Sequence, residues 1–342
     1  MMVLSASAPS ALNYEGDSYF YFKTQAKNAL IGIIGMFFFS MVDYRIYKGR
    51  LADIGMGLAI LLLILVLIPG VGITRNEATR WLKIGVQFQP SEIMKIALII
   101  FLSAKISKNP ERIKSFVKGL LPCLLLLGVI AVLLLKEPHM SAAVIMLVIG
   151  AAIIFTAGAR WLHILPMGAL AVVACFILAK TSEYRWKRVI IFLDPWQDKL
   201  GDGWQIIQSL YAIGSGGLFG VGLGKSTQKY MYIPEPHNDF IFAILAEELG
   251  FIGVIGVIIL FAIFIWRGIS IALKAPDMFG TLVAVGITTM VGIQALFSVA
   301  VVSSSMPVTG IPLPFFSYGG TALIILLCCC GVLLNISRNR TK

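Results

Sequence analysis

Apolar residues fall in long runs, broken by short polar, basic and aromatic stretches. Runs at 29–42, 51–71, 93–102, 119–135, 141–157, 164–178, 240–266, 279–302 and 321–334 predict nine membrane-spanning helices. Several are shorter than the ~20 residues a perpendicular helix needs, but flanking Lys, Arg, Tyr and Trp extend them by reaching toward the interface. Residues 1–7 read as the tail of an apolar segment rather than a signal peptide, because no basic region or full apolar core precedes them. A further helix upstream is therefore expected. The predicted class is an all-α, polytopic integral membrane protein: one membrane domain over 1–342, with a large extracytoplasmic loop at 179–236.

Composition narrows the class further. Of 342 residues, 58% are hydrophobic and only 13% charged, where a soluble domain carries about 25% charged residues. Cys123, Cys175 and Cys328 to Cys330 lie in apolar runs, which offers neither a disulfide framework nor zinc spacing. With only His139, His163 and His237, a histidine-based metal site is not expected. Alternate short loops hold fourteen basic residues against six in the opposite set, so the richer set and the C-terminus are expected in the cytoplasm.

Unusual chemistry collects on the opposite side. Pro234-Glu235-Pro236-His237-Asn238-Asp239-Phe240 runs into the seventh apolar segment, and its prolines predict a helix start at Asn238 or Asp239. Asp239 is there either an N-cap or a functional carboxylate. Glu247 and Glu248 follow inside the apolar run; Glu247 falls nearer the face of Asp239, and Lys95 is expected to neutralise one of the two. Lys95 also lies three residues after Glu92, which allows an internal ion pair. In the loop before it, Arg80 and Lys83 are candidates for an anion site, with Trp81 to stack on a sugar or an isoprenoid tail; a plain interfacial anchor is the alternative, and Ser91 is a candidate cap.

The large loop carries Tyr184-Arg185-Trp186-Lys187-Arg188, a basic and aromatic cluster, then Phe192-Leu193-Asp194-Pro195-Trp196 as a turn. Trp204, Ile207, Leu210 and Tyr211 recur at helical spacing with Gln205 and Gln208 off that stripe, predicting an interfacial helix. The run from Gly214 to Ser226 invites comparison with a phosphate-binding loop, but Phe219 stands where the first glycine of that motif belongs and no nucleotide domain surrounds it. Its glycines predict instead a tight path along lipid headgroups, with backbone N–H groups facing phosphate. Between 303 and 320, three prolines and three glycines predict irregular backbone at membrane depth, tolerated where protein or a cavity surrounds it.

Taken together, Gln89-Pro90-Ser91-Glu92, Pro236-His237-Asn238-Asp239-Phe240, Glu247-Glu248-Leu249-Gly250, Pro307-Val308-Thr309-Gly310 and Ser317-Tyr318-Gly319-Gly320 resemble, in this order, the SEDS family (FtsW, RodA, SpoVE), nearest the FtsW and SpoVE branch. The resemblance covers essentially the whole chain. It implies a peptidoglycan glycosyltransferase that polymerises lipid II outside the bacterial cytoplasmic membrane for division or sporulation, with a class B penicillin-binding protein as transpeptidase and other divisome or sporulation proteins as partners. It also implies that Asp239 is the essential aspartate and that Arg80 and Trp81 belong to the substrate loop. Glu77 and Ser298 depart from the family's usual glycine and asparagine, and Ser5-Ala6-Ser7, which ends the family's first helix, comes so early that this helix is expected to be absent from these residues.

The chemistry this implies is attack by a sugar 4-hydroxyl on an anomeric carbon, displacing a lipid pyrophosphate. One base and a cationic clamp suffice for that step, since pyrophosphate leaves without a proton. Asp239 is the expected base; Arg80, Lys83, Arg185 and Arg188 are clamp candidates, with His237, Ser317 and Trp81 as further substrate contacts. A divalent cation is an open alternative for the clamp, and no nucleic-acid partner is expected. The rival class is a transporter (flippase) of the lipid-linked precursor, with Lys95, Glu247 and Glu248 along its path; no inverted repeat favours it. A non-enzymatic scaffold leaves the outer residue set without a purpose.

Overall fold

The structure, a computed structural model, describes residues 1–75, 78–162, 168, 169, 173, 176, 177, 180, 181, 183–201 and 203–339, the side chains of 75, 78, 84, 86, 184 and 185 aside. Its helices are α1 (Met2–Glu15), α2 (Phe20–Met41), α3 (Arg50–Val66), α4 (Pro90–Lys108), α5 (Leu121–Lys136), α6 (Met140–Thr156), α7 (Glu183–Leu193), α8 (Trp204–Ser215), α9 (Ile241–Leu273), α10 (Met278–Val302) and α11 (Gly320–Arg338). Each predicted apolar run falls on one of these except 164–178, most of which lies outside the described residues. Among the described residues, Phe116–Lys136, α9, α10 and α11 are long and apolar enough to cross a membrane, and α6 is a shorter apolar helix.

One addition to the helical class is a small antiparallel sheet between α3 and α4, in the order β1 (Gly72–Arg75), β2 (Ala78–Ile84), β3 (Val86–Phe88). Gly85, at φ +74°, turns β2 into β3. Leu82 is buried against Leu62 and Val66 of α3, with Phe88 and Ile93 beside it, so the sheet is seated on the helix that precedes it.

The chain divides into two compact units. The first comprises Met1–Lys27, Met167–Ile263 and Gln294–Gly319; the second comprises Asn28–Pro166, Phe264–Ile293 and Gly320–Lys342. In the second unit α3 packs along α4 and α5 along α6, burying Leu63, Met94, Leu98, Leu102, Ile130, Leu134 and Ile149. Small residues bring α2 and α11 close: a Cβ on Gly331 would stand 2.3 Å from the Met36 carbonyl oxygen, the kind of approach that van der Waals packing in lipid favours. Asn335 completes that contact, accepting from Tyr44 N–H at 3.0 Å and donating to the Ser40 carbonyl at 2.8 Å.

The first unit is built around a break in α9. Gly250 has φ +64° and ψ −167°, so the helix loses its own 247-to-251 and 248-to-252 hydrogen bonds. The glycine-rich loop after α8 replaces them. Val221 and Gly222 N–H donate to the Glu247 and Glu248 carbonyls at 3.0 Å each, while Phe251 and Ile252 N–H donate to the Gly217 and Leu218 carbonyls at 2.9 and 3.2 Å. These donors are therefore committed to protein, which corrects the expectation that the loop's N–H groups face lipid phosphate. The reason is physical: an apolar helix cannot leave four backbone groups unpaired.

Helix α8 carries the aromatic stripe of 204–211. Its buried face is Ile206, Ile207, Gln208, Ser209 and Ala212, while Tyr211 is exposed. Ser209 Oγ bonds the Val302 carbonyl at 2.9 Å and Trp204 Nε1 donates to the Tyr232 carbonyl at 2.6 Å, which holds the helix against protein.

A Cβ at Gly250 would meet Gly220 N at 2.3 Å, and the positive φ adds strain for any other residue. Gly250→Ala is expected to destabilise by about 3 kcal/mol or more, read as a lower Tm in detergent. Gly256→Ala, with open space at its Cβ, should leave Tm nearly unchanged; equal Tm values for the two variants would contradict this account of the break.

Candidate functional site

The first unit holds Asp239 in a turn rather than at a helix cap. Asn238 N–H bonds the Glu235 carbonyl at 3.1 Å and helix α9 begins only at Ile241. The prolines thus extend the approach as expected, but the helix starts two residues later than Asp239. Asp239 lies against the irregular 303–319 segment: a Cβ on Gly310, whose φ is +68°, would stand 3.3 Å from Asp239 Oδ2. Met231, Glu235, Ser304 and Phe315 have positive φ in the two segments that flank this carboxylate. Such conformations cost about 1–3 kcal/mol each and collect at functional sites.

Aromatic packing holds the same region. His237 is buried and stacks on Tyr21 with ring centroids 4.5 Å apart, and Tyr318 meets both rings edge-on. The Tyr318 N–H bonds the His237 carbonyl at 2.8 Å. Ser317 Oγ accepts from Leu313 N–H at 2.8 Å, and Gln25 Nε2 donates to the Ser317 carbonyl at 3.1 Å, so this serine shapes the loop. Arg188 on α7 donates to the Val308 carbonyl at 2.9 Å, which fixes α7 to that loop. The Arg185 side chain lies outside the described residues.

Glu247 and Glu248 form a buried polar knot with the glycine-rich loop. Glu247 accepts from Ser226 Oγ and, at 2.9 and 2.8 Å, from Thr227 N–H and Oγ1. Lys229, 4% exposed, bonds Glu248 at 2.9 Å, and Ser5 of α1 donates to the same carboxylate at 2.6 Å. Lys95 pairs instead with Glu92 at 2.8 Å. The expectation that Lys95 neutralises Glu247 or Glu248 is therefore corrected. Helical spacing placed the glutamates by angle, but it could not show that Lys229, from a loop about twenty residues earlier in the chain, reaches back to them.

In the second unit, Arg80 is the extra residue of a bulge. Thr74 opposes Thr79 and Ile73 opposes Trp81, which leaves Arg80 without an opposing residue in the β1–β2 register. A bulge re-aims a side chain. Here it carries Arg80 to the turn between α5 and α6, where Nη2 donates to the Pro138 carbonyl. Trp81 is half-buried and Lys83 exposed, so the three candidates differ in how far each reaches outward. Ser91, expected as a cap, is instead inside α4 and buried, because Pro90 already opens the helix.

The α5–α6 turn holds two residues that sequence reasoning missed. Glu137 and His139 are both buried. Burial pushes the Glu137 carboxyl up to about 8 against the opposing pull of Arg80. Burial, then Arg80 and Lys95, holds His139 down to about 3, while its Nδ1 lies 3.3 Å from Gln89 Nε2. The available signal was two ionisable residues bracketing a proline, between apolar helices with no room for a solvated loop. Among the described residues, no group of three or more His, Cys, Asp or Glu is placed to hold a metal ion.

Long apolar helices around buried, satisfied ionisable groups define a multi-pass membrane protein. The family described as "Cell cycle protein", comprising FtsW, RodA and SpoVE, matches residues 1–342. The chain is 47% identical over 339 residues to stage V sporulation protein E of Bacillus subtilis (strain 168), covering 99% of this chain and 92% of that protein. It is 44% identical over 338 residues to the probable peptidoglycan glycosyltransferase FtsW of Geobacter sp. (strain M18), covering 98% and 92%. Among solved structures, a chain described under the structural coordination of polymerization and crosslinking by a peptidoglycan synthase complex matches with TM-score 0.80 at 32% identity, over 100% of this chain and 97% of that one. The rod shape determining protein RodA of Thermus thermophilus matches with TM-score 0.70 at 29% identity, over 100% and 96%. The chain belongs to the FtsW/RodA/SpoVE family, as its motifs led one to expect.

Breaking one partner of a buried ion pair leaves an uncompensated charge worth about 3–5 kcal/mol. Lys229→Met should therefore lower stability strongly, and Glu248→Gln in the same chain should recover much of that loss. Lys95→Met should be relieved by Glu92→Gln and not by Glu247→Gln. Double-mutant cycles on thermal unfolding decide this, and relief of Lys95→Met by Glu247→Gln would contradict the assigned pairs.

Proposed function

We propose that this chain is a peptidoglycan glycosyltransferase that polymerises lipid II into glycan strands at the outer face of the bacterial cytoplasmic membrane, in division or sporulation. The observation that carries the reading is 44% identity to a probable peptidoglycan glycosyltransferase along 98% of the chain. The C-terminus is cytoplasmic, from the excess of basic residues in its set of loops. A class B penicillin-binding protein is the expected partner; the solved structure of a peptidoglycan synthase complex supports a joint machine.

In this reading Asp239 takes the proton of the acceptor sugar's 4-hydroxyl as its oxygen attacks the donor's anomeric carbon. The bond from that carbon to the lipid pyrophosphate breaks, and the electron pair leaves with the phosphate. Arg80 and Lys83 supply positive charge toward the phosphates, Arg as a planar fork and Lys as a point charge. Trp81 offers a flat face to a sugar or a lipid tail. His237, stacked on Tyr21, and Gly310, against Asp239 Oδ2, position the base; neither need touch substrate. Arg188 holds the 303–319 segment through the Val308 carbonyl.

A carboxylate base contributes about 10²–10⁴-fold to such a step. Asp239→Asn, close in size but without basicity, should leave a folded protein that still binds lipid II and its partner, with polymerisation down at least about 100-fold. Asp239→Glu should be partly active, since the carboxylate moves by one methylene. Near wild-type polymer from purified Asp239→Asn would remove Asp239 from this role, and loss of lipid movement across a bilayer without loss of polymer would favour a transporter.

A further inference from the structure

The turn between α5 and α6 holds two buried ionisable residues for which the glycosyl transfer above has no use. Glu137 is 1% exposed, and neither of its carboxyl oxygens has a hydrogen-bond partner among the described residues. A polar group buried without partners is costly, and such groups mark ligand or catalytic sites. Arg80, half-buried, bonds the carbonyl of the very next residue, Pro138. Gln89, from the start of α4, faces His139. Arg80 bears on both Glu137 and His139, and Lys95, itself paired with Glu92, bears on His139.

We propose that this turn is a binding site for the acetamido group of a sugar, in which Glu137 donates a hydrogen bond to the acetamido carbonyl once Arg80 leaves the Pro138 carbonyl for a phosphate of the same substrate. This rests on the glycosyltransferase reading above. The chemistry selects such a ligand. With its pKa raised to about 8 by burial, Glu137 carries a proton at neutral pH and so has an O–H to give. His139 is neutral, with Gln89 at Nδ1, so the surroundings suit an uncharged amide better than an ion. Arg80 is the one group here that changes its partner, from a backbone carbonyl to an anion that binds it more strongly.

The test uses the purified full chain in detergent with its transpeptidase partner. Polymerisation and direct binding are measured with lipid II and with lipid II whose acetamido groups have been converted to free amines. Wild type should bind the amine form about tenfold more weakly, as expected for one lost hydrogen bond. Glu137→Leu should raise KM for intact lipid II about tenfold with kcat nearly kept, and should no longer tell the two substrates apart. Glu137→Gln, which keeps a donor and an acceptor in the same place, should recover most of that affinity. Wild-type affinity should fall as pH rises through about 8, when Glu137 ionises, and Glu137→Gln should lose that fall.

Unchanged KM in Glu137→Leu, persistent discrimination by it, or a Glu137→Gln as weak as Glu137→Leu would each overturn the site. Should Glu137→Leu fail to fold, an alkaline fall that persists in Glu137→Gln overturns it equally. Absence of polymer from wild type, with binding still sensitive to the acetamido group, would instead overturn the glycosyltransferase reading and leave the site standing.

Discussion

Every backbone N–H and C=O that lies in an apolar helix must find a partner inside the protein, and the break at Gly250 is where this chain meets that demand in an unusual way. Opening α9 releases the Glu247 and Glu248 carbonyls and the Phe251 and Ile252 N–H groups; the glycine-rich loop binds all four. Only glycine fits at these approaches, since a Cβ on Gly220 would meet the Glu248 carbonyl at 2.2 Å and one on Gly216 the Ala246 carbonyl at 2.1 Å. The same exchange brings Ser226, Thr227 and Lys229 to the two glutamate side chains. Backbone satisfaction and charge neutralisation are thus one device. It anchors the loop that leads, through residues 231–235, to Asp239.

The contrast between the two units lies in what their buried charges have found. Around α9 the carboxylates accept several hydrogen bonds and one ammonium, the condition under which burial is tolerable. At the α5–α6 turn Glu137 has an arginine nearby but, among the described residues, no hydrogen bond of its own. Satisfied networks hold a shape; an unsatisfied group is an opening for a ligand. That difference, rather than the number of charges, separates the scaffold role of Glu247 and Glu248 from the recognition role given to Glu137.

Much of the fold was legible because hydrocarbon imposes long apolar runs, and these fall on helices wherever the residues are described. The sheet was not, because its strands are only four, seven and three residues long and their alternation is mixed with basic and aromatic residues. The protein-facing side of α8 was not legible, because Gln208 and Ser209, polar residues off the aromatic stripe, are buried by tertiary packing, with Ser209 reaching the Val302 carbonyl. The motif around Asp239 was visible by its prolines and its place before an apolar run. Its contact with Gly310 was not, since about seventy residues of chain separate them. Lys229 was overlooked for the same reason, as tertiary pairing leaves no trace in helical spacing.

The central claim is that this chain forms glycosidic bonds rather than carrying lipid across a bilayer. Detergent micelles separate the two, because they have no second leaflet to reach. Purified chain, partner and lipid II in micelles should yield glycan strands that migrate as a ladder on a gel and are lost on digestion with a muramidase. A preparation that is folded and binds lipid II, yet makes no strands in micelles while moving the lipid across a vesicle membrane, would contradict the account.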